Sequence, residues 1–330
     1  MKINRIRVLA FVAGATLFSY VSMGHAASGA LAYPERPIRM VVPFPAGGGV
    51  DVVTRMLAQE MTEKLGQQVV VDNRSGASGI VGTEIVAKAT RDGYTLLMGN
   101  VATHAVNVNL YRKLSYDPLK DFAPVTRVAV VHEILVVHPS VPATSVKALI
   151  ALAKSKPGQL TFGSAGNGTP PHLAGELFKS LAGVNILHVP YKGTPLALSD
   201  LMGGQITMIF SNILSALPLV KSGKLRALGV SSLKRSHVAP DVPTISESGL
   251  PGYQKNSWYG VLAPAGTPNA VIAKLNGTIV AALGVPAVLD RLARQGAEIE
   301  TSSPEEFRNF IQSEIKRYAT IIKNSGLRVE

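Results

Sequence analysis

Two glycine-rich segments hold the residue types best suited to chemistry in this chain. They are Pro43-Phe44-Pro45-Ala46-Gly47-Gly48-Gly49-Val50-Asp51 and Ser164-Ala165-Gly166-Asn167-Gly168-Thr169-Pro170-Pro171-His172. Each follows a short apolar run and precedes apolar residues at helical spacing, as strand-to-helix turns do. Helix N-termini present free backbone N–H groups and about half a unit of positive charge, so such turns suit an anion. Gly47, Gly48 and Gly49 leave the backbone open to a ligand because no Cβ stands in the way. Ser164 and Thr169 add hydroxyls, and Asn167 an amide. The pattern predicts anion binding, with Gly48 and Gly168 contributing N–H groups from opposite walls of a cleft. The same glycines also fit plain tight turns.

Other chemistries find less support. No G-x-x-x-x-G-K-[ST] loop occurs, and Gly47-Gly48-Gly49 lacks G-x-G-x-x-G spacing, which argues against a nucleotide cofactor. Ser231-Ser232-Leu233-Lys234 spells S-x-x-K without its companion motifs, and no G-x-S-x-G elbow is present. His104, His132, His138, His172, His188 and His237 show no metal-ligand spacing. Cysteine is absent, which excludes thiolate metal sites and cysteine nucleophiles. Neither a metal nor a cofactor is expected. Asp51 and His172 suit supporting roles, capping a helix or fixing a turn. A non-enzymatic protein is expected; the alternative from another class is an exported hydrolase or isomerase of organic acids, resting on His172 and Asp200.

The elements that must position these turns alternate along the chain. Strands are expected at 39–44, 68–72 and 94–99, with helices at 50–65 and 80–89 between them. The pattern restarts with a strand at 128–138, a helix at 145–154, a strand at 161–164 and a helix at 172–181. Strands at 185–190, 206–210, 225–230 and 258–263 follow, then helices around 268–283, 286–295 and 304–324. Such alternation indicates parallel βαβ units in an α/β fold. With 330 residues, 46% of them hydrophobic, about two domains are expected. The organisation expected is one lobe from 27–127 plus 251–330 and a second lobe from 128–250, with a ligand cleft between them.

Residues 1–26 have the order of a secretory signal: Lys2, Arg5 and Arg7, then an apolar run to about Met23, then small residues with cleavage near Ala26. Export to the periplasm is the expectation. The formal charge of +12 becomes +9 without that segment. The remaining charge is scattered and aromatics are 6% of residues, which argues against a nucleic-acid partner. A mildly positive field favours encounter with small anions.

Taken together, several motifs resemble the tripartite tricarboxylate transporter substrate-binding proteins, also called the Bug family. They include Tyr33-Pro34-Glu35-Arg36-Pro37-Ile38, the turn Pro43–Asp51, Asn73-Arg74-Ser75-Gly76-Ala77 and Tyr116-Asp117-Pro118-Leu119-Lys120-Asp121-Phe122. The turn Ser164–Thr169, His188-Val189-Pro190-Tyr191-Lys192-Gly193 and Ala263-Pro264-Ala265-Gly266-Thr267-Pro268 continue the series. The resemblance implies a two-lobed Venus-flytrap fold of the type II periplasmic-binding class. It also implies capture of a small carboxylate for delivery to membrane permease subunits; a sensor histidine kinase is the alternative partner, and a monomer is expected.

Carried over residue by residue, the resemblance implies ligand contacts from Phe44, Ala46, Gly48, Gly49, Asn100 and Ala102 in the first lobe. In the second lobe it implies Ser164, Gly168 and Thr169, with Tyr191 and Asp200 nearby. Backbone N–H groups, hydroxyls and water would hold the carboxylate, in place of an arginine clamp. Ala46, Val101-Ala102 and Thr194-Pro195-Leu196 depart from the family pattern, so the lining of the cleft differs while the scaffold is shared.

Overall fold

Short runs rich in Val, Ile and Leu, several of them closed by glycine turns, become the inner strands of a twisted sheet with helices packed on it. The computed structural model describes residues 33–325. The signal segment expected at 1–26 lies outside the described residues.

The first half runs β1 (Ile38–Val42), α1 (Gly49–Leu65), β2 (Val69–Asn73), α2 (Ile80–Ala87), β3 (Thr95–Asn100), a π-turn at Ala102–Val106 and α3 (Asn107–Leu110). β4 (Phe122–Val137) then leads to α4 (Val146–Ser155), β5 (Thr161–Ser164), α5 (Pro170–Ala182), β6 (Leu187–Pro190) and α6 (Thr194–Met202). β7 (Met208–Asn212), α7 (Ile213–Lys221), β8 (Arg226–Val230) and β9 (Asn256–Pro264) follow. α8 (Asn269–Leu283), α9 (Pro286–Ala293), β10 (Ala297–Ile299) and α10 (Pro304–Ser325) complete the chain. Helix ends follow local chemistry. α1 stops at Gly66 with φ 66°, and Ser145 caps α4 by accepting from the Ala148 N–H.

The strand order is β2-β1-β3-β9-β4-β7-β5-β6, with β8 and β10 also paired to β4. β1, β2 and β3 are parallel, as are β5, β6 and β7, while β4 and β9 run antiparallel to their neighbours. β4 changes partner along its length. Residues 122–132 pair with β9, and from Glu133 onward the strand pairs with β7 and β8. Two apolar cores result, one around Leu97, Phe122, Trp258 and Phe307, the other around Leu135, Phe162, Phe178 and Phe210. The fold is therefore two-lobed α/β.

Several elements differ from the sequence expectation. β4 begins at Phe122, well before Val128, because Pro124 is accommodated at an irregularity in its pairing with β9. Helices α3, α6 and α7 and strand β10 were not expected, being short pieces whose periodicity is too brief to detect. No single described helix is long and apolar enough to cross a membrane.

Candidate functional site

The strand-to-helix turn Phe44–Gly48 and the turn Ala165–Thr169 face each other across a cleft. The halves touch directly: Ser215 Oγ donates to the Gly47 carbonyl at 3.1 Å, and a Cβ added to Gly193 would meet Pro45 at 2.5 Å. Between them lies an inner cavity of about 40 Å³. Phe44, Gly48, Gly49 and Val50 line it from the first turn, and Ala165, Thr169, Pro170 and Pro171 from the second. Asn100, Glu133, Thr194, Asn212, Ser257 and Tyr259 complete the wall. A larger outer cavity of about 260 Å³ shares Phe44 and Ala165 and is lined farther out by Ser78, Tyr111, Tyr191 and Lys192.

The inner wall offers neutral donors and no cation. Gly49 and Val50 open α1, so their N–H groups have no carbonyl one turn earlier in the helix. The amide oxygens of Asn100 and Asn212 accept from Thr103 N–H and Ser215 N–H, which leaves each NH₂ for the cavity. Ser257 Oγ is buried with no hydrogen-bond partner. Burial pushes the Tyr259 phenol pKa far up, with Glu133 adding to the shift, so it is a neutral O–H donor.

Asp51 builds the first turn from behind. Its carboxylate accepts from Gly47 N–H, Asn73 Nδ2 and Arg55 Nε, each at 2.9 Å. Burial raises its pKa, but the hydrogen bonds from Arg55, Gly47 and Asn73 outweigh burial and hold it below the usual carboxylate value. Asp51→Ala removes the acceptor of all three bonds and is expected to cost about 1–3 kcal/mol of stability and to weaken ligand binding. Denaturant unfolding and calorimetry on one preparation check both effects.

The second turn spends most of its donors on itself. Gly166 N–H donates to Ser164 Oγ, Gly168 N–H to His172 Nδ1, and Thr169 N–H and Oγ1 to the Gly166 carbonyl. Pro170 and Pro171, the first residues of α5, have no N–H at all. The Gly168 N–H expected to serve the clamp is thus spent inside the turn, while Ala165 brings its backbone to the inner wall.

Behind this turn, His172 and His188 stack at 4.0 Å, and His188 Nε2 meets Ser164 Oγ at 2.6 Å. Burial lowers His172 to about 4, with Lys179 adding to the effect. Burial and then His172 lower His188 to about 3, and burial alone takes His104 to about 3. The unfolded chain protonates these rings below about pH 6.5, whereas the folded chain does so only near the lowered values. Stability is therefore complete above about pH 6.5 and falls as acid is added, by up to about 1.4 kcal/mol per pH unit for each histidine. Thermal melts across a buffer series should show this decline; a flat melting temperature from neutrality to about pH 5 would contradict it.

Of the residues singled out from sequence, Phe44, Gly48, Gly49, Asn100 and Thr169 line the inner cavity. Tyr191 lines the outer one and donates to Asp200 at 2.7 Å, so Asp200 orients Tyr191 and lines neither cavity. Four others lie off both walls. Ala46 is exposed, Ala102 is buried in the π-turn, and Ser164 is held by His188. Gly168 faces Leu110 and Val106 at φ 74°, where an added Cβ would come within 2.5 Å of Leu110. Asp51 and His172 support the turns. Glu133, Asn212, Ser257 and Tyr259 escaped the sequence reading; the one available signal was a lone acid inside the apolar run 128–138.

Residues 53–327 match the model of the tripartite tricarboxylate transporter family receptor. Protein BugT of Bordetella pertussis (strain Tohama I) is 41% identical over 299 residues, spanning 90% of this chain and 92% of that protein. Among solved structures, R. palustris Rpa4515 with adipate is 40% identical with a TM-score of 0.88, covering 90% of this chain and 99% of that one. MatC (Rpa3494) from Rhodopseudomonas palustris with bound malate is 35% identical with a TM-score of 0.83, covering 88% and all of the two chains. The family match and the two-lobed cleft agree with the motif resemblance: the chain belongs to the tripartite tricarboxylate transporter receptor family.

Proposed function

We propose that this receptor captures a small carboxylate in the inner cavity, in the periplasm, and passes it to the membrane subunits of a tripartite transporter. The observation that carries the reading is the donor-rich, cation-free wall at the start of α1. Fixed N–H, NH₂ and O–H groups there can surround an anion without reorganising. The adipate and malate bound by the two R. palustris relatives support the ligand class. The basic-then-apolar order of residues 1–26 supports export. A single chain supplies both walls, which fits a monomer.

The role is binding without conversion. The Ser164–His188 pair lines neither cavity, and the inner wall presents no nucleophile hydrogen-bonded to a histidine base. The lobe limits follow the same logic. Limits of 27–127 plus 251–330 and 128–250 are supported by the partner change of β4 at Glu133 and the return of β9 beside β3.

Ligand bound to the folded state raises the melting temperature by mass action. A thermal-shift panel of mono-, di- and tricarboxylates and aromatic acids should find at least one stabilising acid. If none stabilises the purified protein, the carboxylate reading fails. Labelled-acid uptake by a deletion strain separates delivery to a permease from signalling through a kinase: lost uptake supports delivery.

A further inference from the structure

One compartment of about 40 Å³ is shared by the start of α1 and the carboxyl of Glu133. Gly49 and Val50 line it with Glu133, and Asn212, the cross-strand partner of Glu133, lies against Gly49. Such a space takes a few water-sized groups, about one carboxylate head. The rest of a longer acid would pass Phe44 and Ala165 into the outer cavity, which Lys192 lines. Glu133 is 1% exposed. Its Oε2 lies 3.3 Å from Ser231 Oγ, but the hydrogen of that hydroxyl is directed to the closer Lys255 carbonyl. Burial pushes the Glu133 carboxyl above the usual range, and the charges of Lys255 and His132 pull it partly back. Burial disfavours the Lys255 charge in turn, yet Tyr318 and Glu133 outweigh burial and keep that residue cationic, with Arg317 opposing them. Lys255 Nζ donates to the Asn256 carbonyl and stands behind the cavity wall. Tyr253 and Tyr259, whose buried phenols stay neutral, also face Glu133. His132, the preceding residue, turns to Asn256 and Glu298.

This inference rests on the carboxylate reading above. We propose that the receptor takes up one proton with its acid, held on Glu133 and donated to the ligand carboxylate in the inner cavity. Two ionised carboxylates in one dry compartment repel, and such pairs keep a proton between them. Charge balance points the same way. Ionised Glu133 and cationic Lys255 already cancel, so an incoming carboxylate would add a buried negative charge without a partner. With a proton from solvent on Glu133, the Lys255 charge is left to offset the ligand, and the Glu133 O–H becomes one more donor beside the α1 N–H groups.

Calorimetry with malate and adipate, the acids bound by the two R. palustris relatives, tests this in buffers of different ionisation enthalpy. Between about pH 6.5 and about pH 9 both acids are ionised, so their own titration is silent. In the upper part of this range the wild-type protein should take up close to one proton per acid bound. Its affinity should fall there as pH rises, by up to about tenfold per pH unit. Glu133→Gln keeps the shape and a permanent donor but cannot titrate. Its uptake should drop to near zero, and its affinity should vary by about twofold or less across the range. His132→Gln, which removes the neighbouring ring, should keep the wild-type uptake. Uptake near zero throughout in the wild-type protein overturns the inference and leaves the carboxylate reading intact. So does uptake that persists in Glu133→Gln or disappears in His132→Gln. Should Glu133→Gln fail to fold, the wild-type count and His132→Gln decide. If malate and adipate both fail to bind, the most stabilising acid of the thermal-shift panel takes their place, and if no acid binds, both readings fall.

Discussion

Gly49→Ala should weaken ligand binding by about tenfold to a hundredfold and leave the protein folded. A Cβ at this position would stand 2.6 Å from Asn212 Cγ and Oδ1 and 2.8 Å from the Tyr259 hydroxyl. Asn212 cannot swing aside freely, because its Oδ1 accepts from Ser215 N–H as the cap of α7. The added methyl must therefore push α7 away from the start of α1, against the nearby Ser215–Gly47 contact. Overpacking of this kind costs about 1–3 kcal/mol, which corresponds to about 5- to 150-fold in Kd. Gly48→Ala is the control. Gly48 has φ −75°, and its added Cβ meets nothing closer than the Pro45 carbonyl at 3.4 Å, so about twofold or less is expected. Calorimetry gives the affinities, and small-angle scattering shows whether the cleft still closes. Wild-type affinity in Gly49→Ala would move the carboxylate away from the α1 turn.

The largest loss of stability is expected from Phe307→Ala, at about 3–5 kcal/mol with ligand affinity unchanged to within about twofold. Phe307 is fully buried where α10 docks on the sheet, with its ring 5.6 Å from Trp258 in an edge-on arrangement. The packing is close enough that a Cβ on Gly260 would come within 2.2 Å of the ring. Trp258 Nε1 also donates to Glu314 on α10 at 3.1 Å, so the helix is tied to β9 at two points. Truncation leaves a cavity that neither neighbour can refill. The substituted ring does not line the ligand cavity, so the effect should appear in denaturant unfolding and not in binding. A cost below about 1 kcal/mol would show that α10 contributes little to holding this lobe together.

Much of the scaffold was legible before any coordinates. The run Ile38–Val42, the glycines after it and the helical spacing from Val50 to Leu65 identify a strand, turn and helix from short-range information. The same holds for Ser164 to Ala182 and for the three closing helices. These turns together with motifs along the rest of the chain were enough to place it in its family. In the structure Phe44, Gly48, Gly49 and Thr169 of these two turns line one cavity.

The role of Gly168 was legible only by type. A glycine is needed there because φ is 74° and Leu110 lies close, whatever approaches from the cleft. Its N–H goes to His172, four residues on, a bond that depends on how the turn folds back over α5. Glu133 was hidden for a different reason. In sequence it is a single acid between apolar neighbours, and such a residue looks like an irregularity in a buried strand.

Periodicity and turn chemistry act over a few residues, so they sufficed for the longer strands and helices and the glycine turns, while the motif resemblance supplied the family. The polar wall of the cavity needed contacts spanning most of the chain, joining Asn100 to Tyr259 and Glu133 to Asn212 through antiparallel pairing of β3 with β9 and of β4 with β7. Which side chains share that face depends on strand register, and a slip of one residue would turn each to the opposite side. Register is set by the two packed cores and by the partner change along β4, and these exist only once the whole sheet has assembled.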